Sequence, residues 1–492
     1  MSDNRYDVIV IGGGPGGLSC GAMLAHRGAR VLLVERNDRT GGKAVTAERD
    51  GFRYELGPKL QVPMKEPGFK QLFAALGMSD KLGQILLDRA SVSLKQPDGS
   101  YKTIVSPQSS GMDPTPFFDL WGLDDADREK AMVVMAEMVS LTPEQLDELD
   151  DTSMHDYLAT RDVPWPLYSY LALHANASLA EPIDLVAASE QIKIMQEIVV
   201  QGGGGYYHGG FGRVLDDIAD AIRERGGEIL LGTDVTGIDV ADGRVTGVTT
   251  SRGRFEAPIV VSDAGIQPTI LKLAGRENFD ADYVTWVENL VPGWGWATIR
   301  YQLDAPVLDQ GCYIIYGDDT WWNVERYEAF LRGEIPDDVV VFISVPSFFD
   351  PSMAPPGKQV IITGSPAPAD PAEPNIDALY ERVESTLAKV FPDVFDHVER
   401  RSYDGPGDIS AHSRDSVLPG QGGECVGVGQ IVGQCGTKKP KPATPLPGLF
   451  LTGCDAGAPG MGTHQATMSG MTVAGLVLDE IARTVSGSAA GR

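Results

Sequence analysis

Gly12, Gly14 and Gly17, interleaved with Gly13, Pro15 and Gly16, follow the branched run YDVIVI and precede an apolar stretch of helical character. This order leaves backbone amides and a helix N-terminus facing one point with no side chains between, which is the arrangement that receives a pyrophosphate. Glu35 closes the next branched run, RVLLVE, where a carboxylate can accept hydrogen bonds from a ribose diol, and Arg36 follows it. Strand, glycine turn, helix from about Gly16 to Arg27, second strand and acid together predict one βαβ unit that binds a dinucleotide.

The elements around that unit must hold it and present something to it. A chain of 492 residues with 42% hydrophobic content exceeds what one core usually organises, so two or more lobes are expected. From about Glu66 to Val200 helical periods dominate, broken by the loop SPQSSGMDPTPFF. Next come a glycine loop, an amphipathic helix and short strands joined by a turn at Asp242 and Gly243. Strands prevail from about Gln267 to Asp408, and the chain closes with a strand, a glycine-rich turn and a long helix. The predicted class is α/β: a Rossmann-like dinucleotide domain assembled from residues 1–65, 205–266 and 415–492. The substrate domain is mixed α+β, with a helical lobe over 66–204 and a sheet over 267–414.

Gly41-Gly42-Lys43, just beyond Glu35, resembles the second signature of FAD proteins with a glutathione-reductase-like fold, and so favours FAD over NAD. Two glycines let backbone pass near phosphates while a cation helps neutralise them. Further segments carry a fuller resemblance: GFRYELGP at 51–58, YYHGGFGRVLDDIADAIRERGGEI, TDVTGIDVADGRVTGVTT, VPSFFDPSMAPPGKQVIITGSPAP and GQIVGQCGTKKPKPATPLPGLFLTGCDAGAPGMG. In this order they are similar to the phytoene desaturase, carotenoid isomerase and retinol saturase group of FAD oxidoreductases. The resemblance implies that Gly57 and Pro58 enter the flavin site and that the backbone of Val235 meets the adenine. It also implies that Gly453 and Asp455 meet the pyrophosphate and ribitol, while Gly460, Met461 and Gly462 open a helix aimed at the flavin. Such a helix start stabilises the negative charge that reduction places near N1.

Groups able to move a proton near such a flavin are His464 beside the last turn, His208 in YYHGG, and Lys59 after Gly57-Pro58. Each also has a plain structural use, capping or packing. Cys454 invites a covalent flavin link or serves as a small buried thiol. The methionine-rich stretch AMVVMAEMVSL reads as core, as a lipid-dipping face, or, with Phe117, Phe118, Trp165 and Tyr168, as the wall of an apolar tunnel. The implied activity is hydride transfer between FAD and a carbon of a hydrophobic unsaturated or cyclic molecule, as in desaturation, saturation or double-bond isomerisation. The alternatives are a flavin amine oxidase, or a flavin-free lipid-binding protein like the GDP-dissociation inhibitors on the same fold.

The net charge of −27 repels phosphate backbones and anionic headgroups, so nucleic acid is excluded as a partner and membrane contact is expected to be weak and peripheral. Five scattered cysteines show no metal-ligand spacing, predicting a reducing, cytoplasmic setting and no metal.

Overall fold

The computed structural model describes residues 4–57, 59–60, 66–108, 113–201, 204–457 and 460–490. Pro58 lies outside them, as do parts of the 106–118 loop and of the last glycine turn. Five short parallel strands form the first sheet, in the order Leu449–Leu451, Val260–Ser262, Val8–Ile11, Val31–Val34 and Glu228–Leu230. The sheet therefore draws on three distant stretches of chain. The alternation of side chains along each strand sorts its two faces. Val8, Val10, Val31 and Leu33 pack beneath helices Pro15–His26, Gly210–Glu224 and Gly462–Ala490. Ile9, Ile11, Leu32 and Val34 instead meet residues of the antiparallel meander Val235–Ala241, Arg244–Thr250 and Gly253–Glu256. Asp242 and Gly243 turn that meander with φ of 51° and 71°, the paired left-handed geometry of a tight hairpin.

The first and last helices touch closely. A Cβ on Gly470 would lie 2.4 Å from the Gly16 carbonyl oxygen, so only glycine permits this approach, and the C-terminal helix is locked over the start of the first.

The second sheet has seven strands, ordered Val398–Asp404, Gly295–Leu303, Gln359–Ala367, Val341–Ser344, Cys312–Tyr316, Arg89–Lys95 and Tyr101–Pro107. All neighbours are antiparallel except Cys312–Tyr316 with Arg89–Lys95. One face carries Ile299, Tyr301, Ile343 and Ile361 onto Leu379, Val383 and Leu387 of helix Ile376–Val390. The opposite face carries Trp296, Thr298, Phe342 and Gly364. The last two strands correct the expected helical lobe: the hairpin at 89–107 lies inside the stretch read as helical but belongs to this sheet. ASVSL and YKTIVSP alternate with period two about a turn at Asp98-Gly99, and that local pattern overrides the helical periods on either side.

The helical lobe proper contains Asp125–Ser140, Trp165–His174 and Ala188–Gln201 around one core. Phe118 and Met138 are buried in it, whereas Met132, Val133 and Val139 on the same helix are exposed, as is Trp165, stacked on Tyr168 at 5.2 Å. Phe117 is also buried, within the second sheet's core. No helix among the described residues is long and apolar enough to cross a membrane.

Candidate active site

The glycine turn is built by contacts that exclude side chains. A Cβ on Gly17 would stand 2.1 Å from the Gly12 carbonyl oxygen, and one on Gly16 would stand 2.7 Å from the Gly453 backbone. Gly14 precedes the first helix in extended conformation, with Pro15 as its first residue, suited because it needs no amide partner there. Glu35, only 5% exposed, accepts from Gly13 N at 2.7 Å and from Asn37 N and Nδ2, both at 2.8 Å. Its carboxylate thus stands against the turn, and Thr233 N donates to its carbonyl at 2.9 Å, two residues before Val235 begins the meander. Arg36 pairs with Asp415 at 2.6 Å, but its Nη2 is buried with no hydrogen-bond partner among the described residues.

The glycine doublet lies across the turn. Gly41 N donates to Gly13 O at 2.7 Å, and a Cβ on Gly42 would come within 3.1 Å of Gly14 Cα. Lys43 Nζ reaches the carbonyl oxygens of Glu424 and Val426 at 2.5 and 3.3 Å. The closing segment is thereby tied to the doublet, and Gly57 passes so close that a Cβ there would meet Lys43 O at 2.2 Å.

Asp455 has its carboxylate engaged inside the protein. It accepts from Ile266 N at 2.8 Å, Val428 N at 2.9 Å and Arg414 Nη1 at 2.9 Å, which together hold it below the usual carboxylate range against the effect of burial. Any contact with a cofactor from Gly453 and Asp455 therefore falls to their backbone. Gly460 and Gly462, on either side of Met461, have φ of 93° and 54° and lead into the C-terminal helix. Cys454 Sγ donates to Gly462 O at 3.3 Å, and burial pushes its thiol up to about 12, so a thiolate is suppressed.

The three proton-transfer candidates separate. Lys59 lies on the inner face of the second sheet, its Nζ 4.2 Å from the centre of the Trp296 ring and 3.4 Å from Thr298 Oγ1. Burial, with the nearby Arg300 cation adding to it, brings its ammonium down to about 7, against a smaller raising effect of Cys425. His464 accepts from Gly68 N at its Nδ1 at 3.0 Å, so the neutral ring carries its proton on Nε2, and burial lowers its basicity. His208 is 61% exposed and stands 3.6 Å from Asp350, apart from the glycine turn.

Sequence reasoning missed further groups. Asp263, directly after the buried strand Val260–Ser262, accepts from Gly17 N at 2.9 Å. Its position at the carboxyl end of a parallel strand, the edge where such sheets bind ligands, was the available signal. Among the described residues, the buried Glu181 has Oε1 unpartnered, and the half-buried His174 has both ring nitrogens buried without a hydrogen bond. Burial raises the Glu181 carboxyl well above its usual range and lowers the His174 imidazole to about 4. They flank the π-turn Ala175–Leu179, which ends at Ala180 with a φ of 56°.

The sequence profile of the flavin containing amine oxidoreductases matches residues 15–478. The chain belongs to this family. Among its relatives, the neurosporene-forming phytoene desaturase of Cereibacter sphaeroides is 24% identical over 416 residues, 77% of this chain and 78% of that one. Prolycopene isomerase 1 of an Oncidium hybrid cultivar is 24% identical over 508 residues, 96% of this chain and 83% of that one. A solved oxidoreductase from Methanosarcina mazei superposes with a TM-score of 0.74 at 19% identity, covering 95% of this chain and 99% of its own. The family and these relatives together bear out the resemblance read from the sequence: the protein is an FAD-dependent oxidoreductase with a Rossmann-like cofactor domain. The glycine turn, where Gly14, Gly16 and Gly453 leave no room for a Cβ between the backbone and Asp263, and the orphaned Arg36 Nη2 fit that cofactor.

Proposed function

We propose that the protein acts on CH–CH bonds of an apolar, unsaturated molecule of the polyene type, held over the inner face of the seven-stranded sheet. The observation that carries this reading is the pairing of Lys59 with an aromatic surface. Trp296 and Phe342 meet edge to face at 5.5 Å on that face, and Lys59 is the cation set against the indole. An apolar chain gains from burial on such a surface, and the neutral form of the amine beside it can take a proton from one of its carbons. The activities for which the relatives are named, phytoene desaturation and prolycopene isomerisation, agree with it.

In this reading Gly12, Gly14, Pro15, Gly16 and Gly17 receive the pyrophosphate, Glu35 and Arg36 the adenosine ribose, and the backbone of Val235 the adenine. Gly41, Gly42, Lys43 and Gly57 flank the phosphates, while Gly453, Asp455, Gly460, Met461 and Gly462 face the flavin end. When bound, FAD supplies a two-electron hydride acceptor or donor. For desaturation, one substrate carbon gives up a hydride and its neighbour a proton, leaving a double bond. The neutral form of Lys59 Nζ, about half the population at pH 7, takes that proton. His464 positions helix Gly68–Ala75 through its bond to Gly68 N, and His208 has no part in the chemistry. Hydrophobic contact with a membrane surface through the exposed Met132, Val133, Val139 and Trp165 gives such a substrate a route in.

The test is spectroscopic. The purified protein should show an oxidised-flavin spectrum, and anaerobic addition of a hydrogenated polyene in detergent should bleach it. A primary amine that bleaches the flavin where polyenes do not would overturn the substrate class in favour of amine oxidation.

A further inference from the structure

Asp263 occupies a particular place. Its Oδ2 would lie 2.5 Å from a Cβ on Gly14, and its Oδ1 2.6 Å from one on Gly16 and 2.4 Å from one on Gly453. Gly17 N, in the first turn of helix Pro15–His26, donates to Oδ2 at 2.9 Å. The carboxylate is thus lodged where the glycines of the turn and of the closing segment leave room, on the Gly17 amide at a helix start that suits an anion. A pyrophosphate diester carries two negative charges into the same space.

We propose that Asp263 acts as an internal anion in the phosphate cradle and that FAD enters as a proton is taken up on Asp263, making cofactor binding and proton uptake one event. The inference rests on placing the pyrophosphate in the glycine cradle.

The surroundings of Asp263 favour this outcome. Burial, with the Glu35 and Asp455 carboxylates adding to it, raises its carboxyl to about 7, while the Gly17 amide and the Lys43 cation act in the opposite sense. The thiols of Cys20 and Cys454 also face it, and both stay protonated because burial pushes them up. Two further negative charges oppose an ionised Asp263 more strongly still. Once protonated, the same side chain becomes an O–H donor for a phosphate oxygen, turning repulsion into a hydrogen bond. The sign follows: above about 7 the free protein must gain a proton to bind, so affinity falls as pH rises, and below that value it is level.

The experiment titrates flavin-stripped full-length protein with FAD, by quenching of flavin fluorescence, from pH 6 to pH 9. Kd should be constant below about pH 7 and then rise about tenfold per pH unit. Calorimetry at pH 8 in buffers of different ionisation enthalpy should count about one proton taken up per FAD. Asp263→Asn should bind with the low-pH affinity of the wild type at every pH, about tenfold tighter than wild type at pH 8. A flat wild-type profile, a proton count near zero, or the same slope in the variant would each overturn the proposal. If Asp263→Asn does not fold, the wild-type proton count decides alone. FAD that binds the wild type at no pH refutes the cradle as the cofactor site, whereas FAD that binds without proton uptake refutes only the role of Asp263.

Discussion

An ammonium buried away from water, with the Arg300 cation nearby, loses much of its hold on the proton, and Lys59 is placed in that situation. A base works only in its neutral form, so the rate of flavin bleaching by substrate should climb tenfold per pH unit below about 7 and level off above it. Lys59→Met keeps the length and removes the base. It should abolish that pH limb and lower the plateau by about 10²- to 10⁴-fold with FAD content unchanged, measured by stopped-flow bleaching. A variant that bleaches at the wild-type rate with the same pH profile would remove Lys59 from the reaction. His464 differs, since a ring whose Nδ1 lone pair already accepts a hydrogen bond from a backbone amide has no free lone pair to take a proton.

At the scale of elements, buried carboxylates join segments that lie far apart in the chain. Glu55 accepts from Tyr206 Oη at 2.6 Å, Thr46 Oγ1 at 3.0 Å and Phe211 N at 3.2 Å, tying the hairpin Thr46–Glu55 to the start of helix Gly210–Glu224. Asp350 does the same from the DPSMAP segment, accepting from Gly209 N at 2.8 Å. Tyr206→Phe deletes one donor to a buried acceptor, so urea denaturation should show a loss of about 1–3 kcal/mol, with the glycine turn untouched. An unchanged midpoint would mean that Glu55 is satisfied without the phenol. These ties also explain what the sequence made legible. The glycine turn, the strands beside it and the hairpin at Asp242-Gly243 are local patterns, readable where they stand. The segments carrying the family resemblance could be quoted in order, yet nothing in them says that Glu55 and Asp350 converge on YYHGG. Asp263, Glu181 and His174 stayed invisible for a related reason: their character comes from partners, or from the lack of them, contributed by remote parts of the chain. The hairpin at 89–107 is a short alternating pattern set between longer helical periods, so the surrounding sequence reads as helical.

For the whole molecule, a charge of −27 and an exposed apolar strip on the helical lobe pull in opposite directions. Electrostatics oppose any anionic surface, whereas apolar insertion is indifferent to salt. In vesicle flotation the protein should bind zwitterionic membranes at least as well as anionic ones, and binding should persist or strengthen at high salt. Preferential binding to anionic vesicles that salt abolishes would contradict this. The first sheet has a further consequence for how the protein comes into being. Val8–Ile11 leaves the ribosome early, but the edge of Val260–Ser262 stays uncovered until Leu449–Leu451 arrives, and the helix that closes over Gly16 comes later still. At ordinary translation speeds that interval is on the order of half a minute. Through it the nascent chain carries an apolar strand edge and an unfinished glycine turn, so the growing chain depends on shielding from its neighbours.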